Sequence, residues 1–179
     1  MLIFPILFLM INFSGQAAAF RIESPAFQDK SQIPSRHTCD GPNVSPPLSW
    51  ADAPSGAKSF ALIVDDPDAS SGTWVHWVVY DLPGDKNQLE EGIEKIETLP
   101  TGAKQGTTDF QSVGYEGPCP PAGNPHHYFF KLYVLNAPLN LSSKASKADL
   151  LMAMNGHVLA QANLIGLYER TAQKKSESQ

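Results

Sequence analysis

The sequence predicts a mainly β domain, a β-rich α+β fold with one or two short helices near its C-terminal end. Three observations carry this reading. Fifteen prolines and thirteen glycines in 179 residues suit a loop-rich β chain better than a helical bundle. Three short apolar runs, at 59–66, 73–83 and 128–136, are bounded by turn residues. A helical pattern appears only after residue 146. Strands joined by long Pro-rich loops, with no helices between them, disfavour a doubly wound parallel sheet. The length is that of one domain with a sizeable core.

The elements follow in order. Residues 2–11, "LIFPILFLMI", form an apolar block that leads into a small-residue A-x-A ending at Ala19. Residues 1–19 read as a secretory signal cleaved between Ala19 and Phe20, which makes the protein exported, periplasmic or secreted. The block is too short for an ordinary membrane-spanning helix, and it lacks the usual preceding Lys or Arg. The domain then occupies residues 20–170. "FRIESPAF" (20–27) alternates as a strand does, and "GPNVSPPLSW" (41–50), with three prolines, is an extended loop or edge segment. "SFALIVDD" (59–66) is a buried strand, and "TWVHWVVYDLP" (73–83) is a second, rich in aromatic and β-branched residues. Residues 84–127 read as mostly loop with one short polar turn near Leu89–Glu94, and "YFFKLYVLN" (128–136) is a third strand. Ser146 with Asp149 three residues later is a capping box opening a helix. Gly156 breaks that helix or links two short ones, 163–170 returns to strand alternation, and 171–179 is a disordered polar tail.

The formal charge of −5, with Lys174-Lys175 the one basic cluster, argues against nucleic acid as a partner. It also gives no attraction to anionic membranes, and no stable membrane insertion is expected. Export frames the two cysteines, Cys39 and Cys119. In an oxidising compartment they can form one disulfide closing a loop of about 80 residues; the alternative is two separate buried thiols.

The chemistry gathers in two stretches. In "DDPDASSGTWVHWVVYDLP" (65–83), period-two alternation puts Trp74, His76, Val78 and Tyr80 on one face and Val75, Trp77 and Val79 on the other. The turn from Pro67 to Thr73 can bring Asp66 beside His76, where a carboxylate would fix the imidazole's tautomer. In "YEGPCPPAGNPHHYFF" (115–130), a stiff Gly/Pro loop ends in His126 and His127 at a strand entrance, with His126 and Tyr128 on one face. Two histidines from separate strands, an aspartate and a tyrosine hydroxyl would make a small polar pocket on an apolar floor.

These two segments, with "TCDGPNVSPPLSW" and "MNGHVLAQANLIGLYER", resemble the phosphatidylethanolamine-binding protein family, nearest its bacterial and archaeal, Raf-kinase-inhibitor-like branch. The resemblance spans roughly residues 21–170. It implies a large central antiparallel sheet, a smaller second sheet, C-terminal helices and a pocket for small anions or phosphorylated head groups such as phosphoethanolamine. Position by position, it implies ligand-binding roles for Asp66, Asp68, Trp74, His76, Gly117, Pro121, His126 and Tyr128. Two positions depart from the family pattern. Ser70 stands where a proline usually follows DPD-Ala, and His127 stands where the family has arginine, an imidazole replacing a permanent cation.

On this reading the protein is a non-enzymatic binder without cofactor or metal. A hydrolase built on Asp66, His76 and Ser70 lacks a G-x-S-x-G elbow. A metal site from His76, His126 and Asp66 matches no known ligand spacing. Since the resemblance implies that eukaryotic members modulate kinases or proteases through surface contacts, a protein partner or homodimer is the remaining alternative.

Overall fold

The computed structural model describes residues 18–170, so the expected signal, apart from its last two alanines, and the expected tail lie outside the described residues. The chain forms β1 (Arg21–Glu23), β2 (Ser31–Gln32), β3 (Leu48–Ala51), β4 (Ser59–Asp66), β5 (Trp74–Pro83), β6 (Gln88–Leu89), β7 (Lys104–Gln105), β8 (His126–Leu135), α1 (Lys147–Ala153) and β9 (Val158–Tyr168). A six-stranded sheet runs β2-β9-β8-β4-β5-β7, and a three-stranded sheet runs β1-β3-β6. The large sheet is antiparallel except for the parallel pair β2–β9 at its edge.

The long strands lie where the apolar runs put them. All eight residues of β4 are buried, because β4 is central and covered on both faces. One face carries Phe60, Leu62, Val64, Trp77, Phe130 and Leu132 against Ile22, Leu48, Trp50 and Leu89 of the small sheet. The other carries Ala61, Ile63, Val75, Val78, Tyr80 and Tyr133 against Leu150 and Met154 of the α1 segment.

The other segments sharpen the expected layout. The 41–50 segment, expected as an extended loop or edge, is loop through Pro47 followed by the start of β3, and the 84–127 segment, expected to be mostly loop, adds the two short strands β6 and β7. Among the described residues a single α-helix follows residue 146. The Ser146–Asp149 capping box is present, and of the two alternatives for Gly156 the break holds: at φ +78° it turns the chain straight into β9. β9 is longer than the predicted 163–170 because it pairs with β8 along nearly its whole length.

One correction shapes the site. Val64 pairs with Trp77 and Asp65 with Val75, so β5 carries an extra residue at His76, a β-bulge. Strict alternation therefore fails there. Val75 joins Val78 and Tyr80 on the α1 face, whereas His76 and Trp77, consecutive in sequence, both face the aromatic rings of Tyr128 and Tyr115. Without the bulge, Trp77 in the core and Trp74 opposite Asp66 could not share a face.

Candidate ligand-binding site

A cavity of about 270 Å³ opens where β4 ends and β5 and β8 begin. Asp66, Asp68, Trp74, His76, Pro121, His126 and Tyr128 all contribute to its lining, as expected. Gly117 does not line it. Its N–H donates to Asn43 Oδ1 at 2.7 Å, and a Cβ there would collide with the His37 carbonyl oxygen. Its role is to let the 115–121 loop lie flat on the 37–43 segment.

That packing is reinforced several times. The Asn43 amide also donates to Glu116, Tyr115 Oη donates to the His37 carbonyl, and the Cys39 amide donates to the Pro118 carbonyl. Cys39 and Cys119 are joined, with Cα atoms 5.4 Å apart, so of the two sequence alternatives the disulfide holds. Cys119 itself borders the cavity.

The polar groups are held in one arrangement. His126 Nδ1 donates to Asp66 Oδ2 at 2.7 Å, and the Asp68 amide donates to Asp66 Oδ1 at 2.8 Å. The expectation that Asp66 orients His76 is thus wrong: Asp66 holds His126 instead. His76 Nδ1 donates to the Glu116 carbonyl at 2.6 Å, because a backbone oxygen can only accept. The bulge aims the ring at the loop rather than at β4. Burial holds the His76 pKa below the ordinary histidine value, against the opposing pull of the Glu116 carbonyl and the Asp66 charge. The ring is therefore neutral near pH 7, with Nε2 as a lone-pair acceptor.

Tyr128 Oη is buried with no hydrogen-bond partner. Burial first, and then the Asp66 carboxylate, push its phenol pKa up, so it stays a protonated donor. Asp68 accepts from both the ring and the amide of His127 at 2.7 and 2.8 Å, and the His127 hydrogen bond draws the Asp68 pKa down. His127 serves the turn in this way and does not line the cavity. The walls are aromatic: Trp74 and His76 meet Phe110 edge-on at 5.6 and 5.2 Å, and His76 meets Tyr128 at 5.1 Å. No lysine or arginine lines the cavity, and among the described residues no group of three or more His, Cys, Asp and Glu is placed to hold a metal.

Residues 23–169 match the model of the phosphatidylethanolamine-binding protein family. The chain belongs to that family. It is 54% identical over 149 residues to a UPF0098 protein of Methanothermobacter thermautotrophicus, covering 83% of this chain and 98% of that protein. The crystal structure of Escherichia coli YbcL, described as a new member of the mammalian family, superposes with a TM-score of 0.80 at 36% identity, covering 86% of this chain and all of that one. A Chlamydia trachomatis homologue superposes at 0.78 with 39% identity, covering 85% and 98%.

In this phosphatidylethanolamine-binding protein family member, sequence reasoning missed three contributors to the site. Phe110 closes the aromatic wall from a Gly/Thr/Asp loop with no periodicity to mark it. Glu116 acts through its carbonyl, which no side-chain pattern can reveal. Ser71 lines the cavity together with Ser70, so the turn position that departs from the family pattern is itself part of the wall.

Proposed function

We propose that this is an exported, non-enzymatic protein that binds a small phosphoryl ligand, such as a phosphorylated head group, in the 66–128 cavity. The observation that carries the reading is the meeting of a buried, unpartnered Tyr128 hydroxyl with two imidazoles and an aromatic wall in one cavity. A buried hydroxyl without a partner costs folding free energy that a ligand oxygen recovers on binding. The two lining carboxylates, without any lysine or arginine, favour a singly charged or zwitterionic ligand over a fully ionised one. Export is supported by the A-x-A segment and by the disulfide, which persists in oxidising compartments. Binding is favoured over hydrolysis because neither Ser70 nor Ser71 hydrogen-bonds His126 among the described residues, which leaves the Asp66–His126 pair without a nucleophile.

A thermal-shift series with phosphate, phosphoethanolamine and nucleotides on wild type, His76→Ala and His126→Ala tests this. Stabilisation of wild type that shrinks in both variants is expected. No stabilisation, or equal stabilisation in all three proteins, would overturn it.

A further inference from the structure

Among the polar atoms this cavity leaves without a hydrogen bond, which include His126 Nε2, Trp74 Nε1 and the Ser70 and Ser71 hydroxyls, two neighbours are of opposite kinds. His76 has spent its only N–H on the Glu116 carbonyl at 2.6 Å, so Nε2 offers a lone pair and nothing else. That nitrogen makes no hydrogen bond among the described residues, although its ring lines the cavity. Tyr128 Oη, 5.1 Å away ring to ring, offers a proton. A group that satisfies both must present one hydrogen-bond donor and one acceptor side by side.

Burial keeps His76 in this acceptor form against the charged groups around it. From β4 it faces Asp66, whose carboxylate is occupied by His126 and the Asp68 amide. From the 107–113 loop it faces Asp109, whose carboxylate takes the Val75 amide at 2.7 Å. The Glu116 carboxylate turns away to Lys95, Asn43 and Ser112, and β8 contributes Tyr128 and His126. Burial outweighs the two carboxylates in setting the ring's charge.

Resting on the phosphoryl reading above, we infer that His76 is a specificity-determining residue. Its Nε2 accepts the P–OH of a phosphomonoester monoanion while Tyr128 donates to an adjacent P–O⁻, so monoesters bind in preference to diesters. A phosphodiester carries the same single charge and no P–OH, and it would set an ester oxygen lone pair against the Nε2 lone pair. A monoester dianion fails in the same way, and it also meets two lining carboxylates. Inorganic phosphate and esterified head groups share the P–OH chemistry.

The test is calorimetric titration of wild type at pH 5.5 with methyl phosphate, dimethyl phosphate and inorganic phosphate. At that pH a monoester, with its second pKa near 6, is chiefly a monoanion, so the first two ligands differ by a methyl group and not by charge. Methyl phosphate is expected to bind at least about tenfold more tightly, the effect of one buried acceptor satisfied rather than opposed. Inorganic phosphate should follow methyl phosphate, and the monoester should weaken as pH rises to 8. His76→Phe should shrink the monoester-to-diester ratio towards one. Dimethyl phosphate binding as tightly as methyl phosphate, or inorganic phosphate behaving like the diester, would overturn the inference and leave the phosphoryl pocket standing. No binding by any of the three would overturn both.

Discussion

Asp65 and Asp66 are neighbours on β4, both nearly inaccessible, and they face opposite sides of the sheet. Asp65 points to the α1 side, where Lys131 and Lys147 reach its carboxylate at 2.7 and 2.5 Å. Asp66 points to the cavity, where one imidazole and one amide hold it beside an unpartnered hydroxyl. A buried carboxylate with two cations is a fastener, tying β4 to β8 and to the start of α1. A buried carboxylate held by one imidazole and one amide with no lysine or arginine, facing open volume beside an unpartnered hydroxyl, belongs to the cavity wall. What separates a structural from a functional acid is the rest of its shell, since burial is the same for both.

The largest effect separates the fasteners from the site. Reducing the disulfide, or substituting Cys39→Ser with Cys119→Ser, releases a loop whose ends lie 80 residues apart. On the chain-entropy model this costs about 4.5 kcal/mol, read by chemical denaturation. The same change frees the wall beside Glu116, so ligand-induced stabilisation should also drop. Next comes Asp65→Ala, which strands two partly buried ammoniums. It should cost about 4 kcal/mol, with ligand affinity in the folded protein unchanged. A loss of affinity there would break the distinction between the two aspartates.

Asp66→Asn reverses the pattern. The asparagine oxygen can still accept from the Asp68 amide, so stability should fall by only about 1.5 kcal/mol. The hold on His126 weakens, and ligand-induced stabilisation should be largely lost. The smallest effect is the pH dependence. Burial lowers the His76 pKa, so below about pH 6.5 the unfolded chain gains a proton that the folded one refuses, and stability declines as pH falls. Denaturation at pH 7.5 and 5.5 should show a smaller decline in His76→Gln. Asp68, drawn down by His127, contributes stability that is present above the ordinary aspartate range and lost only below about pH 4. Asp68→Asn should therefore leave the 7.5-to-5.5 difference unchanged.

Much of this was legible in the residues. The apolar runs gave β4, β5 and β8, the Ser146–Asp149 pair gave α1, and the cysteines suggested their own crosslink. Period-two alternation correctly brought His126 and Tyr128 together, because β8 is regular through that stretch. The same rule misassigned the faces of β5 and the partner of Asp66, because one inserted residue at His76 resets the register and no side-chain pattern announces a bulge. Phe110 and Glu116 stayed hidden because they reach the site from loop segments, one by its ring and the other by its backbone. The resemblance picked out seven residues that line one cavity, and the bulge decided which nitrogen His76 turns towards it.

A titration of the protein with phosphoethanolamine, followed through the histidine ring resonances, tests the account most directly. The account predicts that His76 and His126 shift together and that His76 carries its proton on Nδ1 throughout. It also predicts that His157, paired with Asn136 away from the cavity, stays fixed. Stationary His76 and His126 signals at saturating ligand, or a His76 proton found on Nε2, would contradict it.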